Sequence, residues 1–282
     1  MVDAKTKPVL ITGCSTGIGR ATAERLGVKG YLVYATARRP DSIADLETKG
    51  CRLLQLDVTD EQSMVSAVKA VEAEHGSVGA LVNNAGYAIE RAVETVPMDE
   101  IRAQFETNFF GLVRLCQLVL PAMRREHYGR IINVSSVGGK VVFPGGGYYH
   151  ATKHAVEAFS DALRYETAPF GVAVAVIEPG LIKTAFGDTA TASPASDDVY
   201  ADYNVGVAKR VASSYEGLIF KMTGAGPEPV AAAIEHAVSS RRPRTRYRVT
   251  SSARFGLVSR KLMPDRMWDL FMRTQFPRPK PD

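Results

Sequence analysis

Short apolar runs rich in β-branched residues alternate with longer amphipathic stretches along roughly the first 180 residues of the chain. Strands are predicted at Val9–Thr12, Leu32–Thr36, Arg52–Leu56, Ala80–Val82, Arg130–Val134 and Val172–Ile177, with a seventh at Tyr247–Thr250. Between them, Gly17–Gly27, Glu61–His75, Met98–Arg125 and Tyr149–Thr167 are long enough for crossover helices, and each meets a Gly or Pro near an end. Strand and helix periods in alternation predict repeated βαβ units: an α/β protein of the Rossmann type, a doubly wound parallel sheet of about seven strands with helices on both faces.

Composition narrows the class further. A chain of 282 residues with 45% hydrophobic and 23% charged residues excludes disordered, collagen-like and coiled-coil readings. It is expected to form one domain over residues 1–282. The longest β-like apolar run, Val172–Ile177, is far short of the roughly 20 residues of a membrane span. Only Pro8-Val9-Leu10-Ile11 follows Lys5 and Lys7 before a Thr-Gly turn, too short for a secretory signal, so a cytoplasmic location is expected. Cys14, Cys51 and Cys116 are odd in number and widely spaced, which predicts reduced thiols and no structural metal.

Charge is unevenly spread. Residues 241–282 hold 12 basic and 3 acidic side chains, whereas the first 240 hold 23 and 27, so the excess positive charge is C-terminal. Residues 241–282 therefore read as a basic appendage. Another stretch, 186–226, breaks the strand–helix rhythm and carries Phe186, Leu218, Phe220 and Met222. An insertion after the sixth strand of a doubly wound sheet lies over the carboxyl ends of the strands, so it is expected to be a helical substrate lid.

The first strand runs into Thr12-Gly13-Cys14-Ser15-Thr16-Gly17-Ile18-Gly19 and then a helical segment. A Gly-rich turn at that junction lets backbone N–H groups and a helix N-terminus face a pyrophosphate. Its Gly-x-x-x-Gly-x-Gly spacing departs from the common dinucleotide fingerprint. About 20 residues further on, NAD-binding folds place an acid against the ribose 2′-hydroxyl. Here the chain reads Thr36-Ala37-Arg38-Arg39. A guanidinium suits a 2′-phosphate, so NADP(H) is favoured over NAD(H), with Arg38 as the clamp and Ser15 assisting.

Tyr149 and Lys153 stand four apart at the start of the helix after the fifth strand, on one face. A phenol with an ordinary pKa of about 10 needs a neighbouring cation to exchange protons at neutral pH. Tyr148 has Thr152 at the same spacing and lacks that cation. Thirteen residues before Tyr149, Ser136 is placed to hold a substrate oxygen, with Ser135 the neighbouring alternative.

Together with Asn83-Asn84-Ala85-Gly86, Asn108-Phe109-Phe110-Gly111 and Pro179-Gly180-Leu181-Ile182-Lys183-Thr184, these motifs resemble the short-chain dehydrogenase/reductase family in its compact single-domain form, from about Pro8 to Thr184. The resemblance implies that Ser136 polarises a substrate oxygen, Tyr149 exchanges the proton, Lys153 lowers the phenol pKa and holds the nicotinamide ribose, and Asn108 positions a relay water. It also implies that Asp57 and Val58 line an adenine pocket, that Asn84, Ala85 and Gly86 support the cofactor, and that Pro179, Gly180, Ile182 and Thr184 fix the carboxamide. His150 and His154 read as structural or solvent-facing and not catalytic, and Cys14 as a small filler of the turn and not a nucleophile.

The turn sequence, Tyr34–Arg38 and Ser136-Val137-Gly138-Gly139 are most similar to the 17β-hydroxysteroid and retinol dehydrogenase branch. That implies a small lipophilic carbonyl or alcohol substrate, with Val141, Val142, Phe143 and Tyr148 as candidate pocket residues. A 3-oxoacyl thioester reductase and a non-catalytic cofactor-sensing regulator are the alternatives. The family implies a homodimer or homotetramer through the Met98–Arg125 and Tyr149–Thr167 helices. The basic tail is read first as an appendage packed on the body or a second subunit and next as a peripheral membrane contact, with no nucleic-acid module in evidence.

Overall fold

The structure, a computed structural model, describes residues 3–183, 199–215 and 224–279. Among the described residues the strands are β1 (Val9–Ile11), β2 (Val33–Ala37), β3 (Cys51–Gln55), β4 (Ala80–Asn83), β5 (Gly129–Val134), β6 (Val172–Glu178) and β7 (Arg246–Arg248). They form one sheet in the order β3-β2-β1-β4-β5-β6-β7, every neighbouring pair parallel. Every residue of β1, β2, β4 and β5 is buried, as parallel strands covered on both faces require.

Two apolar layers supply that cover. On one face, α1 (Gly17–Val28) and α7 (Glu228–Ser239) bury Ala23, Leu26, Val230 and Ile234 against Val9, Ile11 and Val33. On the other, α2 (Glu61–His75), α4 (Gly111–Arg125) and α5 (Gly147–Thr167) bury Met64, Val68, Leu115, Val119 and Val156 against Leu10, Leu81 and Ile131. At roughly 1.5–3 kcal/mol for each fully buried aliphatic side chain, these layers outweigh any surface ion pair in holding the sheet.

Two elements depart from the sequence reading. The single helix expected over Met98–Arg125 is α3 (Met98–Phe105), a π-helical turn at Glu106–Phe110, and then α4. The extra residue in that turn carries Asn108 inward, where its side chain satisfies both backbone groups of Tyr87. The last strand starts at Arg246 and ends before Thr250, whose hydroxyl instead caps the next helix by accepting from the Ala253 N–H at 3.2 Å.

Within the stretch read as a lid, α6 (Ala201–Ser214) is helical. Residues 184–198 and 216–223, including Thr184, Phe186, Leu218, Phe220 and Met222, lie outside the described residues. The chain closes with α8 (Ser251–Leu262) and α9 (Asp265–Gln275). No described helix is long and apolar enough to cross a membrane.

Candidate active site

The chain winds from β1 through β2 to β3 on one side and then crosses to β4 on the other side of β1. The carboxyl ends of β1 and β4 therefore flank a topological switch point, where doubly wound sheets leave a crevice for a ligand. A cleft of about 1010 Å³ opens there.

Its β1 wall is the Gly-rich turn. Gly13 (φ +71) and Gly17 (φ +59) adopt left-handed backbone that L side chains rarely take. A Cβ on Gly19 would run into the Gly13 carbonyl and the Asn84 amide, so the turn can coil this tightly only with glycine there. Asn84 Nδ2 braces the turn by donating to the carbonyls of Thr12 and Gly13 at 2.9 and 3.1 Å. The Thr12 hydroxyl accepts from the N–H groups of Asn84 and Ala85. Thr16, at the N-cap of α1, makes no capping bond with its side chain. The residues present fit a dinucleotide: a glycine cradle and helix N-terminus for a pyrophosphate, and Arg38 on the cleft wall beyond β2.

Gly13, Ser15, Thr16, Gly17, Ile18, Arg38, Asp57, Val58, Asn84, Ala85, Gly86, Ser136, Tyr149, Lys153, Pro179, Gly180 and Ile182 all line the cleft. Gly19 and Asn108 stand behind its wall, and Arg39 is exposed away from it. Asp57 turns one carboxylate oxygen onto the Thr59 N–H and hydroxyl, at 2.9 and 2.8 Å, holding its own loop. The Pro179 carbonyl accepts from the Val137 N–H at 2.8 Å, and the Gly180 backbone packs so closely on the start of α8 that a Cβ would strike the hydroxyls of Thr250 and Ser252.

The reacting end is built on α5 and the loop after β5. Tyr149 and Lys153 share a helical face, with Lys153 Nζ 5.9 Å from the centre of the phenol ring. That ammonium is buried and donates to the Val134 carbonyl at 2.9 Å. Burial pushes Lys153 down to about 8, opposed by the Glu157 carboxylate one turn on. Burial also pushes the Tyr149 phenol well above its ordinary value, while a hydrogen bond with Ser136 pulls it back and the charges of Tyr215 and Glu90 add to the rise. Ser136 Oγ accepts from the Gly138 N–H at 3.0 Å, which fixes the hydroxyl on the cleft side. Asn108 Nδ2 also donates to the Thr152 hydroxyl at 3.1 Å, coupling the π-turn to α5 beside Lys153.

Of the expected pocket residues, Phe143 lines the cleft. Val141 packs instead with Trp268 and Met272, Val142 faces solvent, and the Tyr148 hydroxyl donates to the Val93 carbonyl at 3.0 Å. His150 is a structural side chain: buried, pushed down to about 4, its Nδ1 3.1 Å from the Gly138 carbonyl. Cys14 is fully buried and its thiol pushed up to about 12, which leaves it inert as a nucleophile.

Sequence reasoning passed over Glu90 and placed Tyr215 only within the 186–226 lid stretch, without a role at the site. Both line the cleft, and burial alone pushes Glu90 up to about 7. No spacing rule points to either: Glu90 sits in an irregular loop after β4, and Tyr215 ends α6.

A switch-point dinucleotide cleft with a hydrogen-bonded Tyr–Ser pair and a buried Lys on the same helix defines a nicotinamide-dependent oxidoreductase of the Rossmann type. The chain belongs to the short-chain dehydrogenase family, whose model matches residues 7–195. It is 36% identical over 269 residues to 3-ketodihydrosphingosine reductase of Bacteroides thetaiotaomicron, covering 94% of this chain and 96% of that protein. Among solved structures it resembles a short-chain dehydrogenase from Streptomyces avermitilis, with a TM-score of 0.76, 32% identity and 94% of each chain covered. It also resembles the closed form of serine dehydrogenase complexed with NADP+, with a TM-score of 0.73, 28% identity, and 86% of this chain and 94% of that one covered.

Proposed function

We propose that the chain is an NADP(H)-dependent oxidoreductase interconverting a lipophilic ketone or aldehyde and its alcohol. The observation that carries this reading is the Tyr149–Ser136 hydroxyl pair on the cleft wall, with Lys153 on the same face of α5. A substrate oxygen placed against both hydroxyls accepts a hydrogen bond from Ser136 and a proton from Tyr149 in reduction. In oxidation, Tyr149 takes the proton. Lys153 stabilises the phenolate electrostatically and is held in place from below by the Val134 carbonyl. The hydride would be supplied or accepted by a nicotinamide dinucleotide held along the Gly13–Gly19 turn.

The Gly13–Gly19 turn, Asp57, Val58, Asn84, Ala85, Gly86, Pro179, Gly180 and Ile182 are assigned to cofactor binding on their position in or behind the cleft wall. Preference for NADP(H) rests on Arg38 at the end of β2, where no carboxylate stands, and is in keeping with the NADP+ complex of the serine dehydrogenase relative. A lipophilic substrate is supported by Phe143 and Leu181 on the cleft wall, and by a relative named for reducing 3-ketodihydrosphingosine.

The α6 segment serves as part of a lid. It anchors beside the cleft through Asn204 Oδ1, which accepts from the Ala92 N–H at 2.8 Å, and its last turn brings Tyr215 to the wall. A homo-oligomer through α4 and α5 is supported by the exposed Phe110 and Tyr165 at those helices.

Tyr149→Phe tests the reading. NADPH binding, followed by fluorescence, is expected to survive while ketone reduction falls at least about a hundredfold. Reduction at the wild-type rate would overturn the assignment.

A further inference from the structure

We propose that α8 and α9 form a docking surface for an anionic lipid bilayer, beside the mouth of the catalytic cleft. The two helices follow each other across a Met263-Pro264 link. Each buries one side and turns a second apolar edge to water. Inward, Trp268 and Met272 pack on Val141, Phe143 and Leu257. Outward, Phe255, Val258 and Leu262 recur at i, i+3 and i+7 of α8 with 71, 56 and 75% of their surface exposed, and α9 exposes Met267 and Leu270 by 57 and 61%. Large apolar side chains left in water at that density mark a contact surface.

Charge decides the occupant. Ser251–Gln275 carries five basic side chains against two acidic ones, and Arg254, Lys261, Arg266 and Arg273 are exposed beside the apolar edges. A second copy placed here about a two-fold axis would set this positive surface against itself. An anionic bilayer accepts both parts, the apolar side chains at the acyl boundary and the cations at the headgroups.

The surface is also tied to the cleft. Phe143, on the cleft wall, packs against Trp268 of α9 at 6.4 Å between ring centres. Arg210 of α6 donates to the Gln275 carbonyl at 2.8 Å and stacks on Phe276. Seating α8 and α9 on a membrane would bring the cleft next to the phase in which a lipophilic ketone dissolves.

Vesicle flotation of the full-length protein, without cofactor or substrate, tests this separately from the catalytic reading. With phosphatidylcholine vesicles containing phosphatidylglycerol, the protein is expected to partition at least about tenfold more strongly than with phosphatidylcholine alone, and molar salt should remove most of the difference. The exposed-site variant Phe255→Ser/Leu262→Ser/Leu270→Ser should lose about tenfold or more in partitioning while reducing a small water-soluble ketone at the wild-type rate. A second variant, Arg254→Glu/Lys261→Glu/Arg266→Glu, should lose the preference for anionic vesicles with an unchanged melting curve. Equal partitioning of the wild type into both vesicle types overturns the proposal, as does wild-type partitioning of the serine variant. If the wild type ignores vesicles and the serine variant sediments as a smaller species, the face is a contact between copies and the proposal fails.

Discussion

Arg246, on the strand that closes the sheet, donates through Nη2 to Glu157 Oε2 at 3.0 Å, and Glu157 lies one helical turn beyond Lys153. The same guanidinium reaches Asp161 at 2.7 Å and stands with Nε 3.0 Å from Glu178 Oε1. Glu157 and Glu178 are 2 and 0% exposed, so this cation bridges two carboxylates that have almost no water, each shared with a more exposed cation: Lys140 Nζ stands 3.2 Å from Glu157 Oε2, and Arg248 Nε donates to Glu178 Oε2 at 3.2 Å. Arg246 anchors the helix of Tyr149 and Lys153 to β6 and β7, far along the chain.

Removing the cation leaves Glu157 and Glu178 with only Lys140 and Arg248, whose side chains are 37 and 56% exposed, and a buried carboxylate short of a partner costs more than a surface pair can return. Arg246→Ala is expected to lower the unfolding free energy by about 2–3 kcal/mol in urea titrations. Arg246→Lys should recover only part, because an ammonium lacks the planar fork that spans several carboxylates. A loss below about 1 kcal/mol for the alanine variant would mean the cluster is solvated and does not hold α5.

Most of the scaffold was legible because parallel strands buried on both faces read as unbroken apolar runs. The six strands from Val9 to Ile177 emerge within about two residues of the structure. The π-turn at Glu106–Phe110 left no trace, since adding one residue to a helical turn changes backbone pairing but not the local hydrophobic period. Helix α7 was legible in principle: Val230, Ala231, Ile234, Ala237 and Val238 follow a helical stripe, but they come directly after a stretch read as insertion. Helix α8 was not, because Ala253 is its sole fully buried residue and its exposed edge is as apolar as its inner one. In the site, Tyr149, Ser136 and the glycine turn were legible from spacing. Glu90 was invisible, because a single acid in a loop acquires meaning only once the fold buries it in the cleft.

Lys153 makes a separate stability prediction. Its folded-state pKa is about 8 against an ordinary 10.5, so between those values the unfolded chain holds the proton that the folded chain has released. Folding stability from this group therefore rises with pH across that window, by up to about 3 kcal/mol. Lys153→Met removes the dependence. The difference in unfolding free energy, wild type minus variant, is expected to shift in favour of the wild type from pH 8 to 10.5. A difference flat with pH would show that the ammonium keeps an ordinary affinity for its proton.

Glu90 predicts a change in the pH profile without a change in mechanism. Above about pH 7 its carboxylate is ionised and holds the Tyr149 phenol up. Glu90→Gln removes that charge while keeping the side-chain shape. The pH at which alcohol oxidation reaches half its maximal kcat/KM is expected to fall by up to about one unit, and any inflection near pH 7 should vanish. Superimposable profiles would place Glu90 outside the electrostatic reach of the phenol.

Arg38 and Arg39 separate cofactor recognition from general surface charge. Both are exposed, but Arg38 alone of the two lines the cleft, so only its guanidinium is placed to meet a ribose 2′-phosphate. Hydrogen bonds to charged groups contribute about 1.5–3 kcal/mol, and a carboxylate in the same place adds repulsion to that loss. Arg38→Asp is therefore expected to raise KM for NADPH by about tenfold to a hundredfold while leaving or lowering KM for NADH, whose free 2′-hydroxyl can donate to the new carboxylate. Arg39→Asp carries the same change in net charge and should move neither constant by more than about twofold. Equal effects from the two variants would trace the preference to long-range charge, whereas an unchanged NADPH constant in Arg38→Asp would remove this residue from cofactor selection.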